Sequence, residues 1–105
     1  MKALSSSTLI GDRVVNEQDE DLGHLRELMI DLDTGSIAYA VIGFGGLLGA
    51  GEKLFAIRWS SLRVDQGRKC LLLDQPRETF EMGNGFDPES WPDGTDLEET
   101  LRLQV

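Results

Sequence analysis

The sequence has little positive charge and few of the residue types that build reactive sites. Its 105 residues include 10 Lys and Arg against 19 Asp and Glu, with one cysteine and one histidine. A net charge of −9 repels the phosphate groups of nucleic acids, whose binding normally depends on Lys and Arg. The same sign opposes adsorption to anionic membranes. We therefore expect neither nucleic-acid binding nor direct membrane insertion.

Long hydrophobic runs are also missing, and we expect no secretory signal. The longest largely apolar run, residues 37–51, contains five glycines and is too short to cross a bilayer core about 30 Å thick. After Lys2 comes the polar run of residues 5–8, where a secretory signal would have its apolar region. The single Cys70 has no cysteine partner within the chain, which fits a reducing compartment. These features predict a cytoplasmic protein.

Short strands separated by turn residues dominate the first three quarters of the chain. In residues 24–33 the apolar Leu28, Ile30 and Leu32 alternate with mostly polar residues, the period expected of a strand with one solvated face. Residues 36–44 are apolar or small on both faces, which predicts the central and most buried strand. Further strands are predicted at residues 13–16, 53–59 and 70–73. The pattern indicates an all-β fold, a small antiparallel barrel or sandwich.

The composition changes near residue 74. Residues 1–73 carry a net charge of −2 and residues 74–105 one of −7. Residues 76–82 are compatible with a turn of helix, and Thr95 with Glu98 matches a capping box ahead of a short terminal helix. We therefore expect a β domain at residues 5–75. An acidic extension at residues 76–105, short, irregular or helical, packs on that domain or is partly flexible.

The glycine-rich residues 43–53 do not match a nucleotide-binding motif. A dinucleotide fingerprint would need glycine at Leu48, and a phosphate-binding loop would need Gly-Lys-Ser or Gly-Lys-Thr at residues 51–53, which read Gly-Glu-Lys. We interpret the stretch as a bent connection between two strands. Leu47 and Leu48 at its tip are candidate contacts for a partner.

Metal ligands are not arranged in a recognisable spacing. Residues 31–35 resemble the start of a calcium loop, but Gly35 and Ile42 occupy two ligand positions. The acidic residues 17–21 are interpreted as a solvated loop, although they could attract a divalent cation weakly.

The remaining chemistry-bearing residues also favour structural roles. His24 and Cys70 lack zinc-site spacing, and Cys70 opens an apolar strand where thiols are usually buried and inert. A Cys-His catalytic pair remains an open alternative. Trp59 and Trp91 could stack on a ligand, but such rings more often fill a small core. No catalytic, cofactor or metal site is predicted.

Five segments together resemble the PRC-barrel domain, through their order and spacing more than through any one motif. This domain forms the cytoplasmic barrel of the H subunit of photosynthetic reaction centres and occurs in small free-standing bacterial and archaeal proteins. Phe86, Asp87 and Trp91 also resemble the tail of the free-standing members. The five segments are residues 11–14 (GDRV), 22–31 (LGHLRELMID), 35–41 (GSIAYAV), 44–49 (FGGLLG) and 54–62 (LFAIRWSSL).

The resemblance implies a six-stranded antiparallel β-barrel that acts as a non-enzymatic adaptor, docking on other proteins or pairing with itself. A barrel that binds a small ligand or a divalent cation is the alternative. The residues expected to serve as partner contacts or core are Phe44, Leu47, Leu48, Phe55 and Trp59.

Overall fold

A computed structural model describes residues 1–46 and 50–104. The candidate contacts Leu47 and Leu48 therefore lie outside the described residues. Six strands, three short helices and one 3₁₀ turn make up the described chain. In sequence order they are α1 (Ser6–Leu9), β1 (Arg13–Val15), β2 (Asp21–Ile30), β3 (Ile37–Phe44), β4 (Lys53–Ile57), the 3₁₀ turn (Trp59–Ser61), β5 (Leu62–Asp65), β6 (Cys70–Leu73), α2 (Arg77–Met82) and α3 (Leu97–Leu103).

The strands form one sheet in the order β4-β3-β2-β1-β6-β5, which bends into a half-barrel. The expected six-stranded barrel fold is confirmed. One pair departs from the antiparallel prediction, because β1 runs parallel to β6, with Val14 opposite Leu71. Alternation of side chains sets which face a residue occupies but carries no information on strand direction. A parallel pair was therefore invisible in the sequence pattern.

Strand β3 is buried along both faces, as its sequence predicts. The expectation that it is central is wrong, because it lies second from the β4 edge of the sheet. All six residues from Tyr39 to Phe44 are buried. Ile42 belongs to the core inside the half-barrel, whereas Val41 packs in a second cluster on the opposite face. The strand is apolar throughout because protein covers it from both sides.

The main core fills the concave side of the sheet. Phe80 of α2 closes it, with its ring centroid 4.9 Å from that of Phe55 and 5.8 Å from that of Phe44. Helix α2 therefore covers the half-barrel with one aromatic side chain that is 1% exposed. The other buried members include Val14, Leu22, Leu25, Ile42, Leu71 and Leu73.

The second cluster lies between the convex face of β3 and β4 and the C-terminal segment. Phe86 and Trp91 meet edge to face at 5.3 Å and cover Val41 and Ala56. The hydroxyl of buried Tyr39 donates to the carbonyl of Pro92 at 2.5 Å. The acidic extension is thus packed on the sheet over this face.

Helix α3 begins one residue later than the capping-box prediction. The Thr95 hydroxyl donates to Asp93 Oδ1 at 2.7 Å instead of capping the helix, and Asp96 is the N-cap residue. Asp96 uses its carboxylate to accept from the backbone N–H of Asp93. The capping-box prediction is therefore wrong, because a local turn competes for the same hydroxyl.

Candidate functional site

The candidate contact residues in the described chain divide between the core and its rim. Phe44 is 5% exposed and Phe55 fully buried. Trp59 is half-buried in the 3₁₀ turn and packs against the core. Phe44 and Phe55 are therefore core residues, and Trp59 is the one of these three side chains with substantial exposure.

His24 and Cys70 lie on different strands with a third strand between them. Arg13 of β1 is opposite His24 on one side and opposite Cys70 on the other. Two strand spacings amount to about 10 Å, well beyond hydrogen-bond reach. Cys70 is also buried. The arrangement does not bring the thiol and imidazole together as a nucleophile and its base.

His24 instead contacts a carboxylate that the sequence analysis did not single out. Its Nε2 lies 3.5 Å from Glu52 Oε2, and Arg26 Nε lies 2.9 Å from Glu52 Oε1. The carboxylate rests on Gly43, where a Cβ atom would lie 2.5 Å from Glu52 Cδ. Gly43 thus leaves room for a partly exposed ion-pair cluster across β2 and β3.

The acidic residues 17–21 are organised by one buried amide. Asn16 is 3% exposed, and its Oδ1 accepts from the backbone N–H groups of Gln18 and Glu20. Its Nδ2 donates to Glu20 Oε1 and to the carbonyl of Gln75. Asp19 points to Arg68, with Oδ1 and Nη2 2.8 Å apart. The carboxylates are drawn to separate partners rather than to a common centre.

No group of three or more His, Cys, Asp or Glu side chains close enough to hold a metal ion occurs within residues 1–46 and 50–104. Of the helices that the structure describes, none combines the length and apolar character that crossing a membrane requires.

A cavity of about 210 Å³ lies between strands β4 and β6 and the helices α2 and α3. Apolar residues make up half of its lining, and the Gln104 amide, one of the polar groups there, is already hydrogen-bonded to Ala56. The cavity is lined by Ala56, Leu73, Thr79, Phe80, Leu101 and Gln104, among others. Among the described residues that line it, no acid-base or nucleophile-base pair of side chains comes together.

A larger groove of about 620 Å³ separates the β2–β3 turn from residues 92–97. Ile30 and Leu32 on the turn side are 53% and 92% exposed. The alternation in residues 24–33 predicts both on the buried face of a strand. The alternation fails because the β2–β3 ladder is irregular between Met29 and Ile30, and the strand ends at Ile30. The position of Leu32 between Asp31 and Asp33 in a turn was the one feature of the sequence that could have indicated its exposure.

Carboxylates on both walls of this groove are held ionised. Backbone hydrogen bonding from Asp33 and a hydrogen bond with the Thr34 side chain lower the pKa of Asp31. Hydrogen bonds from the side chain and backbone of Thr95 lower the pKa of Asp93. Burial, and then the negative charge of Asp96 and Asp93, raises the pKa of the Tyr39 phenol below the groove. The groove can therefore attract a cationic group, and the lowered pKa values make Asp31 and Asp93 poor acid-base groups near neutral pH.

The comparison with known families agrees with the topology. The sequence profile described as the PRC-barrel domain matches residues 1–80, from α1 to most of α2. No curated protein matches the chain. Since the profile covers well over half of the 105 residues and the sheet has six strands in a half-barrel, the chain belongs to the PRC-barrel domain family.

Proposed function

We propose that this chain is a non-enzymatic protein-interaction module, an adaptor that pairs with itself and docks on another protein in the cytoplasm. The PRC-barrel domain is not a known enzymatic family. The single free thiol, Cys70, suits a reducing compartment. The net charge of −9 favours a protein partner over a nucleic acid.

The observation that carries the self-association is the difference between the two edges of the sheet. At the β4 edge, Ala56 is hydrogen-bonded by Gln104 and Leu54 by Phe86. At the other edge, β5 pairs with β6, and no further strand within the described residues is paired with it. An uncovered edge offers unpaired backbone N–H and C=O groups to a strand of another chain. Pairing of the β5 edges of two copies would give these backbone groups hydrogen-bond partners in both copies.

The sequence of β5 suits a two-fold antiparallel pairing. If Val64 lies opposite Val64 of a second copy, Arg63 lies opposite the second copy's Asp65, and the same pair forms again across the axis. Arg63 and Val64 are both exposed in the single chain. Opposite charges directly across an antiparallel pair contribute about 0.2–1 kcal/mol each. The register would therefore be fixed by two ion pairs.

Sedimentation velocity over a range of micromolar concentrations tests this proposal. We expect a concentration-dependent dimer that Arg63→Asp or Asp65→Arg weakens, because each places like charges opposite each other. The double substitution Arg63→Asp with Asp65→Arg restores opposite charges and should restore the dimer. Lys2→Asp, at the exposed N-terminus, is the matched control for a change of charge alone.

Two results would contradict the edge-pairing mode. A strict monomer at all concentrations would reject self-association. A dimer that survives the β5 substitutions but is lost on Leu47→Asp with Leu48→Asp would move the interface to the glycine-rich connection.

A further inference from the structure

The groove between the β2–β3 turn and residues 92–97 lies away from the β5 edge. Strand β2 is three positions from β5 in the sheet, and β3 is four. A dimer formed through β5 therefore leaves the groove's own strands unpaired with the second copy. The groove is open to a different partner.

Its surface combines exposed apolar side chains with charge of one sign. Leu32 is 92% exposed and Ile30 is 53% exposed, and Leu97 forms part of the opposite wall. Asp31 and Asp33 stand on one side and Asp93 on the other, while no Lys or Arg is among the described residues that line the groove. Large exposed apolar side chains beside polar ones are typical of a binding surface.

The negative charge of the groove is built into its turns. Asp31 Oδ1 accepts from the backbone N–H of Asp33 at 2.9 Å, and Asp93 Oδ1 accepts from that of Thr95 at 2.9 Å. Each carboxylate is therefore held in place through its Oδ1, and these backbone hydrogen bonds do not use its outer oxygen, Oδ2. A cationic side chain could contact these outer oxygens without breaking either turn.

Hydrogen bonds within the chain hold the wall formed by residues 92–97. The Tyr39 hydroxyl holds the carbonyl of Pro92, and Trp91 Nε1 donates to the carbonyl of Pro88 at 3.0 Å. A third hydrogen bond joins the backbone N–H of Asp93 to Asp96 Oδ1 at 3.1 Å. A surface ordered in advance loses less conformational entropy on binding.

We propose that this groove binds a segment of a partner protein in which Lys or Arg residues alternate with apolar residues. The inference rests on the proposed function as an interaction module and names the chemistry of the partner. The apolar residues would cover Leu32 and Ile30, and the cationic groups would pair with Asp31, Asp33 and Asp93. A second copy of this chain is a poor occupant, since it carries a net charge of −9.

The test uses three acetylated and amidated pentapeptides added to the ¹⁵N-labelled full chain. They are Lys-Leu-Lys-Phe-Lys, its acidic counterpart Glu-Leu-Glu-Phe-Glu, and Lys-Ser-Lys-Ser-Lys without apolar residues. We expect the first to shift the backbone amide signals of residues 30–34 and 93–97. The other two peptides should have dissociation constants at least about tenfold higher, since each lacks one of the two complementary features.

Two exposed residues of the β2–β3 turn provide the variants. We expect Leu32→Ser to raise the Kd of the first peptide about tenfold and Asp33→Asn about threefold. Met82→Ser and Glu89→Gln, both exposed and outside the groove, are the matched controls and should leave it unchanged. Equal binding of the acidic peptide, or a Kd unmoved by both groove variants, would overturn the proposal.

Sedimentation of the same variants separates this inference from the proposed function. If Leu32→Ser abolishes the dimer, the groove holds a second copy, and the partner chemistry proposed here is wrong. A strict monomer that still binds the first peptide in the groove would reject self-association and support the cationic partner. A dimer that does not bind the first peptide would support self-association and reject the cationic partner.

Discussion

The side-chain amide of Gln104 pairs with both backbone groups of Ala56, 48 residues earlier in the chain. The Ala56 N–H donates to Gln104 Oε1 at 2.8 Å, and Gln104 Nε2 donates to the Ala56 carbonyl at 2.5 Å. A few residues away, the N–H of Phe86 donates to the carbonyl of Leu54 at 2.8 Å. The edge of β4 is therefore satisfied by one side chain and one short bridge rather than by a seventh strand.

Replacing Gln104 with leucine should destabilise the chain by about 1–3 kcal/mol, the cost of leaving buried donors and acceptors without partners. The substitution keeps an apolar side chain of similar length, so lost hydrogen bonding dominates the change. Urea unfolding followed by tryptophan fluorescence measures it. Gln66→Leu, in the exposed β5–β6 turn, is the control. Equal midpoints for the two variants would show that the amide pair contributes nothing measurable.

The sequence predicted the burial of a side chain wherever the alternation within its own strand decides which face it occupies. Apolar residues on both faces of residues 36–44 predicted the burial of β3, because a strand covered on both sides needs no polar face. The direction of β1 beside β6 was not predictable, since parallel and antiparallel strands share the same alternation. Turn residues between apolar segments predicted five of the six strands. Strand β5 was not predicted from the pattern, and the expected count of six came from the family resemblance.

The candidate site was harder to predict because it depends on contacts between distant segments. Met29 occupies a position expected to be solvated, but it packs against the second cluster, since the C-terminal segment covers that face. Nothing in the local pattern of β2 indicates this cover. The glycine-rich stretch around Glu52 likewise gives no sign that its carboxylate meets His24 and Arg26 above Gly43.

Phe80 should be the most sensitive position in α2. It is 1% exposed and packs on Phe44 and Phe55, so Phe80→Ala is expected to cost about 3–5 kcal/mol. In a domain whose total stability is about 5–15 kcal/mol, this loss can approach complete unfolding. Phe80→Leu retains more volume and should cost less, which keeps the comparison measurable.

The matched control for Phe80 is Met82→Ala in the same helix, where the side chain is 75% exposed. It should shift the urea midpoint by far less than either Phe80 variant. A similar loss in Met82→Ala and Phe80→Ala would mean that the stability of α2 itself, rather than the aromatic contact, was being measured.

The lowered pKa values of Asp31 and Asp93 make the turns around the groove sensitive to acid. Both groups have pKa values below the 3.8 of an unperturbed aspartate, chiefly because hydrogen bonds from Asp33 and Thr95 favour the ionised form. The folded state therefore binds fewer protons than the unfolded state as these carboxyls titrate. The contribution of Asp31 and Asp93 to stability is complete above about pH 4. It is lost as the pH falls through the lowered values in the folded chain.

Asparagine at either position removes the titrating group while keeping an acceptor for the turn. The free energy of unfolding of Asp31→Asn and Asp93→Asn should consequently fall less steeply than that of the parent below about pH 4. Chemical unfolding at a series of pH values measures the slope, with Glu89→Gln as the control for removal of an exposed carboxylate. A steeper fall in the two variants than in the parent would contradict the assignment, because it would require both carboxylates to be stabilised in their protonated forms.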